Sequence, residues 1–187
     1  EGMAAVASAY AELGMRAVIA PMVADRSFYE AIPGLAAALP PALQERVAAL
    51  RLAPGATTIA AIRDGFAHWS VDRDLVRLAV APTIPHHCSD AFILSCAGLA
   101  RDFAVGLHSH VAESKVQAVA SLRLYGKTQT GHLDELGVLG PHFTVAHGGW
   151  LDEDDMARLG DHGASGAHNP GSNMRIGSGL ADARGML

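Results

Sequence analysis

His110 and Glu113 stand three residues apart at the end of Gly106-Leu-His-Ser-His-Val-Ala-Glu113, a spacing at which one side chain can hold a metal and the other can move a proton. A neutral imidazole binds zinc or iron through one nitrogen, and water on such a metal becomes a nucleophile near neutral pH. A carboxylate beside that water can take its proton and hand it to a leaving group. The plainer alternative is a buried histidine paired to Glu113 for stability alone. Two further strand-like segments, Phe143-Thr-Val-Ala-His147 and Ala164-Ser-Gly-Ala-His168, also end in histidine. His147 is a candidate ligand or an electrophile that steadies the attacking water, and His168 a candidate substrate contact. Each alone reads as readily as a structural histidine; three at successive strand ends point to one shared mouth.

The elements that must position these residues follow from the hydrophobic pattern. An Ala-rich helix over residues 3–13 stops at Gly14, and a strand follows over 15–23. A Pro-punctuated excursion leads to a helix over 42–50; it suits a substrate-facing lid or, equally, a solvent-side insertion. Pro54-Gly55 turns the chain into a helix reaching His68-Trp69, which could line a pocket or form an aromatic edge at a helix end. A strand over 75–81 gives way to a loop and a helix capped by Ser89. Phe92, Cys96, Leu99 and Phe103 stripe that helix at spacings of three and four, which makes Cys96 core. On an extended strand His108 and His110 share one face. Beyond them come helices over 114–125 and 130–136, the strand to His147, a helix over 152–159 with Asp152 as N-cap, and the strand to His168. The tail over 169–179 reads as a Gly and Ser loop.

About five strands alternate with helices, which implies a parallel sheet with right-handed crossovers. No Gly-x-Gly-x-x-Gly follows a strand, and this counts against dinucleotide binding and favours a barrel. A chain of 187 residues can bury a substantial core and is counted as one domain. Half of it is hydrophobic and 18% is charged, so it is globular. The 14 Lys and Arg are scattered over a chain of net charge −5, which argues against a nucleic-acid partner. No apolar run reaches the roughly 18 residues of a membrane span, and the start lacks a signal-peptide pattern. Cys88 and Cys96 form no Cys-x-x-Cys pair, and a reducing, cytoplasmic setting is expected.

Leu107-His-Ser-His-Val-Ala-Glu113, Ala146-His147-Gly-Gly-Trp-Leu151 and Ala167-His168-Asn-Pro-Gly-Ser-Asn173, in this order, resemble the metal-dependent amidohydrolase superfamily. They look most like its branch of cytosine and guanine deaminases, adenosine-type deaminases and triazine chlorohydrolases. The resemblance is strong from about residue 74 onward and weak before it. It implies an α/β fold, a (β/α)8 TIM-type barrel of which residues 1–187 would hold about strands 3 to 7, cut at both ends. It implies one divalent metal, zinc or iron, with His110 as a ligand, Glu113 as proton shuttle and His147 on the hydrolytic water. His168 and Asn169 match a motif of less uniform role, here assigned to substrate binding. The first-strand His-x-His pair has no counterpart, nor has the eighth-strand Asp; Asp182 follows a loop and falls in what reads as the next helix.

The activity so implied is hydrolysis of a C–N bond on a small nitrogen heterocycle. Metal-activated water attacks the ring carbon, Glu113 protonates the ring nitrogen and His147 steadies the attacking oxygen. Dehalogenation of a triazine and hydrolysis of a cyclic amide are the alternatives, as is a catalytically incomplete piece with two open sheet edges. The complete enzyme is expected to be a homo-oligomer.

Overall fold

The computed structural model describes residues 2–50 and 52–187. The Ala-rich start forms α1 (Gly2–Glu12), which ends before Gly14 at φ 65°. The strand expected over 15–23 comes in two pieces, β1 (Ala17–Ile19) and β2 (Met22–Val23). Pro21 lies between them and has no N–H to give to a ladder, so the pairing is interrupted there. The excursion carries α2 (Phe28–Ala31), a short 3-10 turn (Ala36–Ala38) and α3 (Pro41–Ala48). None of the α3 residues is buried, so this segment lies on the surface.

After it come α4 (Gly55–Ala67) and β3 (Val76–Pro82). Gly55 is required where α4 begins, because a Cβ there would sit 2.9 Å from the Phe92 ring. His68 stands exposed at the C-cap of α4 with its ring 2.9 Å from the Asp64 carbonyl, and Trp69 packs on the core. The pair is therefore an aromatic edge at a helix end. A 3-10 turn (Pro85–His87) leads to α5 (Asp90–Asp102). Ser89 caps this helix by accepting from the Phe92 N–H (3.2 Å), and Asp25, just past β2, accepts from the Ser89 N–H (2.7 Å) and hydroxyl (2.5 Å).

The remaining elements are β4 (Gly106–Val111), α6 (Lys115–Tyr125), α7 (Gln129–Glu135), β5 (Phe143–His147), α8 (Glu153–Asp161), β6 (Ser165–Ala167) and α9 (Pro170–Ile176). Asp152 caps α8 as the sequence suggests, accepting from the Asp155 N–H (2.8 Å). The tail expected to be a loop contains α9. Pro170 opens that helix at its first position and Gly177, at φ 68°, closes it.

All pairings are parallel. β1 and β2 both lie against β3, and the order then runs β3, β4, β5, β6. β4 alternates strictly: Leu107, Ser109 and Val111 are buried beneath the helices, whereas His108 and His110 are half-buried on the other face. Phe66, Leu78, Val80, Phe92, Ile93, Leu99, Leu107 and Phe143 form the core between sheet and helices. Each such side chain contributes roughly 1.5–3 kcal/mol on burial. Cys96 is in this core and fully buried, and burial pushes its thiol up to about 12. The result is a partial (β/α) barrel sheet with helices on its outer face. Among the described residues no helix is long and apolar enough to cross a membrane.

Candidate functional site

The site is made where β4 and β5 stop. Past Val111 the chain turns at Ala112, whose φ of 49° is costly for a residue with a side chain. Its N–H donates to Gln129 Oε1 (2.6 Å) and its carbonyl accepts from the Trp150 N–H (2.9 Å), so the turn is gripped from both sides. Glu113 follows. Its N–H donates to Gln117 Oε1 (3.0 Å), and Gln117 Nε2 donates back to Glu113 Oε2 (3.2 Å). Gln117 is itself placed by Ser114, the N-cap of α6. The carboxylate is left with Oε1 facing His147 Nε2 at 3.6 Å.

At the end of β5, His147 has φ 74°, and the Gly148 N–H donates to the Ala146 carbonyl at 3.1 Å. A three-residue turn centred on a non-glycine at positive φ is strained, and such strain survives only where surrounding contacts impose it. Here the Gly148 N–H also reaches the Val111 carbonyl (3.1 Å), which ties the turn to β4. The His147 ring is 8% exposed, with Nδ1 2.6 Å from Asn173 Oδ1, and it stacks on His110 with centroids 5.4 Å apart.

His110 completes the group. Both its backbone N–H (2.9 Å) and its ring Nδ1 (2.6 Å) point at the Thr83 carbonyl. A carbonyl only accepts, so Nδ1 carries the hydrogen and Nε2 keeps a free lone pair. This is the arrangement by which a metal-binding histidine has its ring fixed from behind. His108 lies beside it at 6.4 Å, and burial, then His110 and His147, hold its imidazole below the usual range. As a ligand, His110 fits a divalent cation. Among the described residues, however, no group of three or more His, Cys, Asp or Glu side chains could hold one. Among the described residues His110 offers one free imidazole nitrogen, where a zinc ion takes four donors.

The structure thus brings together His110, Glu113 and His147. The alternative pairing of His110 with Glu113 is not what is seen, since Glu113 faces His147. His168 follows β6 and borders, with His147, a cavity of about 330 Å³ walled by Met156, Leu159 and Met186. Among the described residues no hydrogen bond to the His168 ring is found. The Asn169 amide donates back to the Ala167 carbonyl at 3.0 Å. Asp182, expected in a helix, lies in a turn and accepts from the Gly185 N–H at 3.0 Å. No helical hydrogen-bond ladder develops before the chain reaches Leu187.

Three residues of the site escape the sequence reading: Thr83, Gln117 and Asn173. Ser114-x-x-Gln117 is a capping-box pattern and was a usable signal. Pro170 and Gly177 bracket a helix that would have put Asn173 on a defined element.

Behind the Ala112 turn runs a second polar group. Gln129, whose Oε1 holds Ala112, directs Nε2 at His86 Nδ1 (3.3 Å); His86 Nε2 meets Ser121 Oγ (2.9 Å), and that hydroxyl donates to the Gln117 carbonyl (3.0 Å). Tyr125 stacks between His86 (5.6 Å) and His132 (3.8 Å), and His132 Nε2 meets Asp90 Oδ1 at 2.9 Å.

The chain is 38% identical over 119 residues to a 5-methylthioadenosine/S-adenosylhomocysteine deaminase of Syntrophobacter fumaroxidans, covering 64% of this chain and 27% of that one. It is 31% identical over 185 residues to a 5'-deoxyadenosine deaminase of Methanopyrus kandleri, covering 99% of this chain and 38% of the relative. The fold matches an adenosine deaminase from Xanthomonas campestris with bound zinc (TM-score 0.72, 22% identity, 98% of this chain and 37% of the other). It also matches an atrazine chlorohydrolase from Arthrobacter aurescens complexed with zinc (TM-score 0.78, 23% identity, 96% and 37%). The chain therefore spans between about a quarter and two fifths of the length of these relatives. The amidohydrolase family model matches residues 1–187, and the chain belongs to the amidohydrolase family.

Proposed function

We propose that the chain is the part of a metal-dependent aminohydrolase that carries one metal ligand and the proton-transfer residues, and that the whole protein removes an exocyclic amino group from an adenine-type heterocycle. The observation that carries this is the convergence of three strand-end groups: His110 with Nε2 free of protein partners, Glu113 with Oε1 turned to His147, and His147 between them. The deaminase names of relatives at 31% and 38% identity support the substrate class.

His110 would hold the cation through Nε2, and zinc is the metal this reading favours. When bound, such a cation supplies a water acidified to near-neutral pKa. Glu113 would carry a proton from water to the ring nitrogen of the substrate, using the oxygen that Gln117 leaves free. His147 would orient the attacking oxygen through Nε2. His168 and Asn169 would contact the substrate from the end of β6. Assembly as a homo-oligomer and a cytoplasmic setting belong to the same reading. The remaining ligands would have to come from outside the described segment.

Ammonia release from 5'-deoxyadenosine by the metal-loaded full-length protein tests the reading. Chloride release from a chlorotriazine, without ammonia from the nucleoside, would replace it with the dehalogenase alternative. A second reading, that residues 1–187 alone turn nothing over, is favoured by the lack of a three-ligand cluster among the described residues. Metal content of residues 1–187 after dialysis against zinc tests it, since about one zinc per chain would contradict it.

A further inference from the structure

We propose that Asn173 is a positioning residue for His147: its carboxamide oxygen holds the imidazole in the tautomer protonated at Nδ1, so that an unprotonated Nε2 is presented to Glu113 and to the substrate. The importance of this to catalysis rests on the hydrolase reading above; the contact itself does not.

Asn173 is fully buried on α9, and its Oδ1 lies 2.6 Å from His147 Nδ1. Among the described residues its Nδ2 is buried without a hydrogen-bond partner. An unpaired buried amide group costs free energy that an apolar residue would avoid, so the oxygen end is what the position requires. Nδ2 lies on the side of Gly149, where an added Cβ would meet it at 3.4 Å, and Oδ1 is the atom turned to the ring. With Oδ1 on the ring, Nδ1 must donate, and neutral His147 then has its lone pair at Nε2.

The backbone agrees with this arrangement. The strained φ of 74° at His147 turns the ring away from the alternation of β5, and a buried partner from α9 is what holds it there. The end of α9 is in turn tied to the chain just past β5, where the Trp150 indole N–H donates to the Ser178 carbonyl at 2.6 Å. A lone pair at Nε2, 3.6 Å from Glu113 Oε1, can accept a hydrogen bond from the attacking water or from Glu113 while Glu113 carries the transferred proton. The opposite tautomer would present a donor there and compete for the carboxylate.

Long-range proton–nitrogen NMR of the 15N-labelled chain reads the tautomer directly. The native ring of His147 is expected protonated at Nδ1. Asn173→Leu, of similar volume with no acceptor, is expected to convert it wholly or partly to the Nε2-protonated form, and Asn173→Asp to restore Nδ1–H. In the metal-loaded full-length protein the Leu variant should lower kcat on the order of 10- to 100-fold with KM little changed. A native ring protonated at Nε2 overturns the proposal even if no variant folds, and so does an unchanged tautomer in folded Asn173→Leu. Should the protein release no ammonia while the tautomer behaves as expected, the hydrolase reading fails and the positioning role stands.

Discussion

Two histidine clusters, linked through Gln129 at the Ala112 turn, differ in what they leave unbonded. In the cluster under the helices, His86 has both ring nitrogens engaged, by Gln129 and Ser121, and His132 is tied to Asp90 beneath a stacked Tyr125. In the cluster at the strand ends, His110 and His147 each spend Nδ1 on a protein acceptor; His147 Nε2 faces Glu113 Oε1 at 3.6 Å, and His110 Nε2 has no hydrogen bond among the described residues. Backbone strain follows the same division, since the positive φ values at Ala112 and His147 fall at the second cluster. Satisfied rings on relaxed backbone stabilise; unsatisfied nitrogens on strained backbone are held ready for a ligand. Counting histidines could not have separated the two.

The division is broken most severely by His110→Ala. It should abolish retention of zinc by the full-length protein and take ammonia release to background, with the melting temperature little changed from that of the metal-free native protein, as metal analysis and calorimetry would show. His86→Leu is expected to do the reverse, lowering stability while metal stays bound. If both variants lose metal, the clusters are not functionally distinct.

Acid should act next. Burial, then His87 and His132, push the His86 imidazole down from 6.5 to about 4. Between these values the unfolded chain binds a proton that the folded chain does not, so stability rises with pH across that window. The contribution is complete above about pH 6.5 and is lost as pH falls towards 4, on the order of 3 kcal/mol in all. Denaturant titrations at pH 7 and 5 check this, and a flat profile in His86→Leu assigns it.

The smallest expected effect links the clusters. Gln129→Leu leaves the Ala112 N–H buried without an acceptor and should cost about 1–3 kcal/mol in stability. Because Ala112 precedes Glu113, kcat should also fall, by less than the loss on removing Glu113 itself. A stability loss with kcat unchanged would mean that the inner cluster does not set the carboxylate.

Much of this was legible in the residues. Short apolar runs marked the strands and put His147 at a strand end, and period-two geometry placed His108 and His110 on one face. Ser89 and Asp152 were readable caps. What escaped was local in two cases and long-range in the others. The break at Pro21 and the helix between Pro170 and Gly177 had signals in the chain itself. The contacts of Thr83 with His110 and of Asn173 with His147 join residues 27 and 26 positions apart. No local periodicity encodes them, because they arise only when β4 comes into register beside β3 and α9 packs over the end of β5. The saturation of His86 is likewise a property of packing, built from Gln129 and Ser121 on two separate helices.

Glu113→Gln in the metal-loaded full-length protein tests the central claim most directly. It keeps size and hydrogen bonding to Gln117 but cannot carry a proton. Metal content should stay at the native level while ammonia release falls on the order of 10²- to 10⁴-fold, the usual worth of a positioned acid–base group. Loss of the metal, or activity near the native rate, would contradict the assignment of Glu113 as the proton carrier beside His110.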